Sequence, residues 1–346
     1  MTNPSPPEAS ERAEFSGRIV YLDQNIWIDL LKRITDAESD AIRLRERLIN
    51  LREQGMIQVP LSGSHYLETW HRGGFESRWA LARLMRDISG YTTLAPVHVI
   101  EEAGVAAAIA ARAGTEMPVF PPLLGRGVNH AFASSTGRFR VVGSIASGGV
   151  DEGPPAAVPA ILAQAVELGA PWEWINLAGP REFPAGGLEV RPEHRKGNLV
   201  VADELALRMK ISNDAGMRAR LEDLIITEEM VRIADYVNDA CEQLGVDPIG
   251  LFMPDGSGAI REFVRSVPVA DVHCQLRVYR HSNLEFPIEQ HDYTDMHTLA
   301  LVVPYCDVVV TERRWAHAIR QTKLDRKYQT VPASSLGQLA SLLNLS

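Results

Sequence analysis

The sequence predicts an α/β fold with parallel strands, and three observations carry that expectation. Short apolar runs rich in β-branched residues, Arg18–Leu22 and 307–311, lead directly into helical patterns. Strand and helix alternate at both ends of the chain, the arrangement that produces parallel sheets. Between the two ends lies a long stretch of mainly helical periodicity, read as an insertion.

The elements follow in order. Residues 1–14 are polar and proline-rich with no apolar h-region, so they read as a flexible tail and not as a signal peptide. After the strand Arg18–Leu22, a helix begins at 26–34, and 36–54 form a charged amphipathic helix stopped by Gly55. A second short strand covers 56–62. The Ser/Gly opening of "SGSHYLETWHR" marks a helix N-terminus and places Glu68 in the early turns. Another helix ends at Gly90, an extended piece follows, and then an alanine-rich helix. From 115 the chain is rich in Pro and Gly and reads as loop, including "GRG" at 125–127, which lacks the context of a phosphate cradle. Helices are expected at 156–168, in two or three pieces over 198–245, and at 257–266, with 171–187 an irregular loop. Pro268 opens a further helix at a favoured first-turn position. The last segment gives a helix over 294–303, the strand 307–311, a helix from Arg313, a strand over 328–332 and a closing helix.

The bulk composition narrows the function. A length of 346 residues with 45% hydrophobic and 23% charged content suits one large or two ordinary globular domains. A net charge of -9 opposes a broad basic surface, though not a local basic groove. The three cysteines, Cys241, Cys274 and Cys306, are far apart and in apolar or helical settings. They read as reduced core thiols of a cytoplasmic protein, not as a disulfide framework or zinc site. No run approaches about 18 apolar residues, so no membrane span is expected.

Sheets of this kind place their sites at the carboxyl ends of strands. Asp23 directly follows the first strand, and Glu312 follows 308–310 after one threonine. Asp292 and Asp295 open the helix that feeds that strand, and Glu68 lies on the helix after the second strand. Acids converging on one edge repel one another unless a cation sits between them, and hard ions such as Mg²⁺ or Mn²⁺ prefer such oxygen-only sites. Asp23 alone reads equally as a helix N-cap. Asn25 reads as a turn residue or a phosphate partner, and Arg313 and Arg314 as solvated cations or phosphate-backbone contacts. Asp307 starts the strand that Glu312 follows, which puts the two about 16 Å apart, at opposite ends. His291 and His297 flank the two aspartates, but their spacing alone shows no convergent transition-metal geometry.

"IVYLDQNIWIDLL", "VPLSGSHYLETW" and "DYTDMHTLALVVPYCDVVVTERRW" together resemble the PIN-domain family of metal-dependent nucleases. The resemblance implies a three-layer α/β/α fold with a central, mostly parallel sheet. It would be formed by 15–110 and 267–346, with 111–266 as a mainly helical insertion. It implies that Asp23, Glu68, Asp295 and Glu312 are catalytic. Asp23, Asp295 and Glu312 would hold Mg²⁺ or Mn²⁺, and Asp292 would be a second ligand or a helix cap. Asn25, Arg313 and Arg314 would meet the substrate. The implied activity is phosphodiester hydrolysis, with RNA favoured over DNA. A final acid that is Glu312 departs from the family's usual Asp by one methylene. A silent scaffold binding nucleic acid or protein, and a Mg²⁺-assisted phosphatase-like hydrolase, are the alternatives. A homo-oligomer or a protein partner is compatible with the same sequence.

Overall fold

The computed structural model describes residues 17–134, 172–179, 181, 193–253, 256–284, 286, 288–289 and 292–344. The expected tail 1–14, the helix expected over 156–168 and His291 lie outside the described residues. In chain order the elements begin with β1 (Arg18–Leu22), α1 (Gln24–Thr35), α2 (Ser39–Glu53), β2 (Ile57–Gln58), α3 (Gly63–His71) and α4 (Phe75–Ser89). There follow β3 (Thr92–Leu94), α5 (Val97–Ala113), β4 (Leu124–Arg126), α6 (Gly127–Ala131) and α7 (Trp172–Ala178). Next come α8 (Glu193–Asn213), α9 (Ala215–Ala219), α10 (Leu221–Arg232), α11 (Ala234–Leu244), α12 (Pro248–Phe252) and α13 (Ser257–Ser266). The chain closes with α14 (Pro268–Ser282), α15 (Asp292–Tyr305), β5 (Val308–Val310), α16 (Arg313–Gln321), α17 (Leu324–Tyr328), β6 (Val331–Ala333) and α18 (Leu336–Leu342). Helix dominates, and the parallel strand pairing of an α/β protein is present in short ladders.

The chain divides into two compact units, one of 16–96, 124–192 and 335–346, the other of 97–123 and 193–334. In the first, β1 is apolar along both faces and buried from Ile19 to Leu22, as a parallel strand covered on both sides must be. It pairs parallel with β2, Arg18 opposite Ile57 and Ile19 opposite Gln58. Helices α1, α2 and α4 pack together through Trp27 and Leu30, Leu44 and Leu48, and Leu81, Met85 and Ile88, all at helical spacing.

Two stretches of this unit correct the sequence reading. Residues 124–131, expected as loop, form β4 and α6. Strand β3 offers an edge, and Leu124 to Arg126 pair with it antiparallel. Gly127, at φ +80°, then turns the chain into α6, where the Glu173 carboxylate accepts the Val128 amide at 2.8 Å. Residues 172–178, also expected as loop, are helix α7, which buries Trp174, Ile175 and Leu177. Its last carbonyls are satisfied from outside: Trp70 Nε1 donates to Asn176 O at 2.7 Å and Arg78 Nε to Ala178 O at 2.9 Å. Distant side chains stabilise both segments, so no local signal marks them.

The second unit has a helical core in which Val105 and Ile109 of α5 join Ile211, Ile225, Val237, Phe263 and Cys274. Its strands β5 and β6 pair parallel, Val308 opposite Val331 and Val310 opposite Ala333, and β5 is fully buried. The strand expected over 328–332 is shorter at its start. Tyr328 ends helix α17, bracketed by Lys323 and Gln329 at φ +60° and +55°, and its hydroxyl donates to the buried Asp271 at 2.8 Å. Pairing begins only at Val331, whose amide donates to Asp307 O. The three cysteines are buried and free, as expected. Among the described residues no helix is long and apolar enough to cross a membrane.

Candidate functional site

The predicted site residues fall into two sets. In the first unit, Asp23 takes the N-cap position of α1, with extended backbone (φ -67°, ψ 159°) and Oδ1 accepting the Gln24 amide at 2.8 Å. It is therefore a cap in the structure. Glu68 lies on α3 near enough that its charge, with that of Asp23, acts on Tyr21. Burial, followed by these two charges, holds the Tyr21 phenol well above its ordinary range. The phenol is 3.4 Å from Ser62 Oγ, which is 2.7 Å from Ser64 Oγ. Gln24 reaches Thr69 Oγ1 at 3.2 Å. The Oδ1 atom of Asn25 is buried and has no hydrogen-bond partner among the described residues, so a buried acceptor stands beside Asp23.

One residue that sequence reasoning missed organises this set. His65, fully buried, accepts the Ser62 amide on Nδ1 at 2.9 Å and donates from Nε2 to the Leu22 carbonyl at 2.9 Å. The two bonds require the neutral Nε2–H tautomer, and burial pushes the imidazole down to about 4. The signal was present in "SGSH", a capping box with His in place of Glu.

In the second unit, the acids at the end of β5 gather on Arg314. Its Nε lies 2.7 Å from Glu312 Oε2, Nη1 2.9 Å from Glu289 Oε2, and Nη2 3.0 Å from Asp292 Oδ1 and 3.6 Å from Asp295 Oδ2. Glu312 stands at the N-cap position of α16, directly past the strand. Asp295, on the first turn of α15, accepts from Trp315 Nε1 at 3.0 Å, and that indole is fully buried. Asp292 is deeper: it is fully buried, accepts the Glu289 amide, and pairs with the buried Arg280 at 2.8 Å. Of the two aspartates, Asp295 is the more accessible and Asp292 the more structural. Arg313 is exposed, and Asp307 lies at the other end of β5 from Glu312, as its position in the sequence implies. His297 stacks on Tyr293 with centroids 5.9 Å apart.

The carboxylate oxygens around Arg314 have the donor chemistry of a hard divalent ion. The guanidinium supplies the positive charge such an ion would bring, so Arg314 has to move aside for one to enter. Among the described residues no three His, Cys, Asp or Glu side chains are already posed to close on one ion. Comparison of the chain with family models, curated proteins and solved structures gives no match.

Proposed function

We propose that this chain is a Mg²⁺- or Mn²⁺-dependent nuclease of PIN-like type, acting on RNA in preference to DNA. The supporting observation is the convergence of Asp292, Asp295, Glu289 and Glu312 on one cation past the carboxyl end of β5. Asp295 and Glu312 would hold the ion, with Trp315 fixing the orientation of Asp295. A bound hard ion supplies charge neutralisation at the phosphodiester and a more acidic water. Arg314 then turns from its carboxylates to a phosphate oxygen, for which its fork of donors is equally suited. The resemblance also assigns Asp23 and Glu68 to the reaction. Asp23→Asn keeps the cap, since Asn and Asp cap equally well, while removing the charge.

The test is cleavage of labelled RNA, single-stranded DNA and duplex DNA with Mn²⁺, Mg²⁺ or EDTA, using wild type, Asp23→Asn and Asp295→Asn. Metal-dependent cleavage of RNA that either substitution abolishes supports the reading. Wild-type protein that binds RNA without cutting it replaces this reading with a silent scaffold.

A further inference from the structure

Helix α16 buries Trp315, Ala316, Ala318 and Ile319 and leaves Arg313, His317 and Arg320 exposed at i, i+4 and i+7. That spacing is one face of a helix, about 10 Å from end to end. Helix α17 packs against α16 and continues the same chemistry, with Lys323, Arg326 and Lys327 exposed around it. In a chain of net charge -9, residues 313–327 hold six Lys and Arg side chains against one acid, Asp325.

Two of the six are already committed. Arg314 holds the carboxylates past β5, and Lys327 donates to the buried Asp271 at 2.9 Å. Arg313, Lys323 and Arg326 have no carboxylate partner among the described residues. Arg320 donates only to backbone oxygens, of Ala316 at 3.4 Å and of Pro332. Neighbouring cations repel one another, and a polyanion relieves that repulsion.

Position and surface chemistry select the form of the polyanion. Arg313 follows Glu312 directly, so the stripe leads away from the carboxylates that Arg314 gathers. The α16 face alone spans about three nucleotides of a duplex strand, at roughly 3.4 Å each. Surfaces that hold single strands add aromatic platforms on which the bases stack. Here Trp315 and Tyr328 are buried, and the His317 ring is turned edge-on to Tyr279, with centroids 6.4 Å apart. What the stripe offers is contact with phosphates, which suits a duplex whose bases stack on one another.

We infer that Arg313, Arg320, Lys323 and Arg326 dock the phosphate backbone of a base-paired RNA segment beside the Arg314 cluster. The choice of RNA rests on the nuclease reading, whereas the docking does not require cleavage. The test is fluorescence anisotropy of the full chain in EDTA with a labelled RNA hairpin, an unpaired RNA of the same length, and duplex DNA. Four phosphate contacts should lower hairpin affinity by on the order of 100-fold between about 50 and about 200 mM salt. Lys323→Gln combined with Arg326→Gln should weaken the hairpin by at least about tenfold and reduce the salt slope by about 2. Lys32→Gln combined with Arg83→Gln, the same loss of charge at exposed positions of the other unit, should leave the slope unchanged. Melting curves confirm folded protein, and Arg326→Gln alone, with a slope change of about 1, carries the test if the pair fails to fold. Hairpin binding with these slopes but no Mn²⁺-dependent cleavage keeps the stripe and removes the nuclease reading. Cleavage by a wild type whose salt slope equals that of the Lys323/Arg326 variant does the reverse. Tighter binding of the unpaired RNA or of duplex DNA than of the hairpin also overturns the assignment.

Discussion

His65 joins the first turn of α3 to the end of β1, its Nε2 donating to the Leu22 carbonyl one residue before Asp23. The same ring accepts the Ser62 amide, so one buried imidazole fixes both the cap of a helix and the carbonyl that precedes a predicted site acid. Truncation to Ala would leave a buried carbonyl and amide unpaired, at a cost of about 1–3 kcal/mol for each orphaned group.

That imidazole also makes stability depend on pH. Its folded value is about 4 and its unfolded value 6.5, so the unfolded chain binds more protons between those limits. The stabilisation from keeping His65 neutral is complete above pH 6.5 and is lost as pH falls from 6.5 to about 4. It amounts to about 3 kcal/mol. Urea unfolding across that range should show the loss, and His65→Gln should flatten it. His297, also held down to about 4 by burial, contributes with the same sign and leaves a residual slope. A His65→Gln profile parallel to that of wild type would refute the assignment.

The ion pair between Arg280 and Asp292 is nearly sealed, with side-chain exposures of 1% and 0%. Arg280→Met strands a buried carboxylate that keeps Arg314 at 3.0 Å and the Glu289 amide at 2.7 Å. Removing one partner of such a pair costs about 3–5 kcal/mol, and the lower end applies because Arg314 remains. Adding Asp292→Asn should recover much of the loss. Denaturant midpoints of the two single variants and the double variant check this: additive losses would mean that the two residues are not coupled.

Two glycines with similar φ separate backbone strain from contact. Gly55 (φ +69°) has open space where a Cβ would sit, whereas a Cβ on Gly127 (φ +80°) would lie 2.2 Å from Glu173 Oε1. Gly55→Ala should cost about 1 kcal/mol from the backbone alone. Gly127→Ala should cost more, by about 1–3 kcal/mol, because it also drives Glu173 off the Val128 amide. Equal melting shifts would show that the carboxylate moves freely.

What the sequence revealed follows how local each signal is. Residues 18–22 and 308–310 are apolar runs next to helical periodicity, and both are strands. Asp23 and Glu312 follow their strands as read, because position in the chain decides that. Helix α7 depends on Trp70 and Arg78 reaching its carbonyls from about a hundred residues away, and β4 depends on an edge offered by β3. The pairing of Glu229 with His273 spans 44 residues and leaves no pattern in the chain. At the candidate site the acids were legible, and "TERRW" even displays Arg314 beside Glu312. That its guanidinium would turn back to gather four carboxylates is a matter of rotamer and burial, which spacing does not encode.

Arg314 offers the sharpest test of whether those carboxylates exist for an ion. If they do, the guanidinium competes with the ion for the same oxygens. Arg314→Gln removes the competitor and leaves Glu289, Asp292, Asp295 and Glu312 facing one another, with Asp292 fully buried. In EDTA the variant should melt below wild type, since like charges lose their shared counterion. Millimolar Mn²⁺ should raise its melting temperature by more than it raises that of wild type, because an ion that binds the folded state stabilises it in proportion to the logarithm of its saturation. At a hundredfold excess over the dissociation constant the gain is about 2.7 kcal/mol. Wild type should gain less at the same concentration, since Arg314 must first be displaced. Glu312→Gln added to Arg314→Gln should reduce the Mn²⁺ shift by removing a ligand. Thermal unfolding of the three proteins, in EDTA and over a Mn²⁺ series, measures all of these quantities without any substrate. Identical Mn²⁺ shifts in wild type and Arg314→Gln would make the cluster a structural anchor for α16 and remove the main support for the metal-dependent reading.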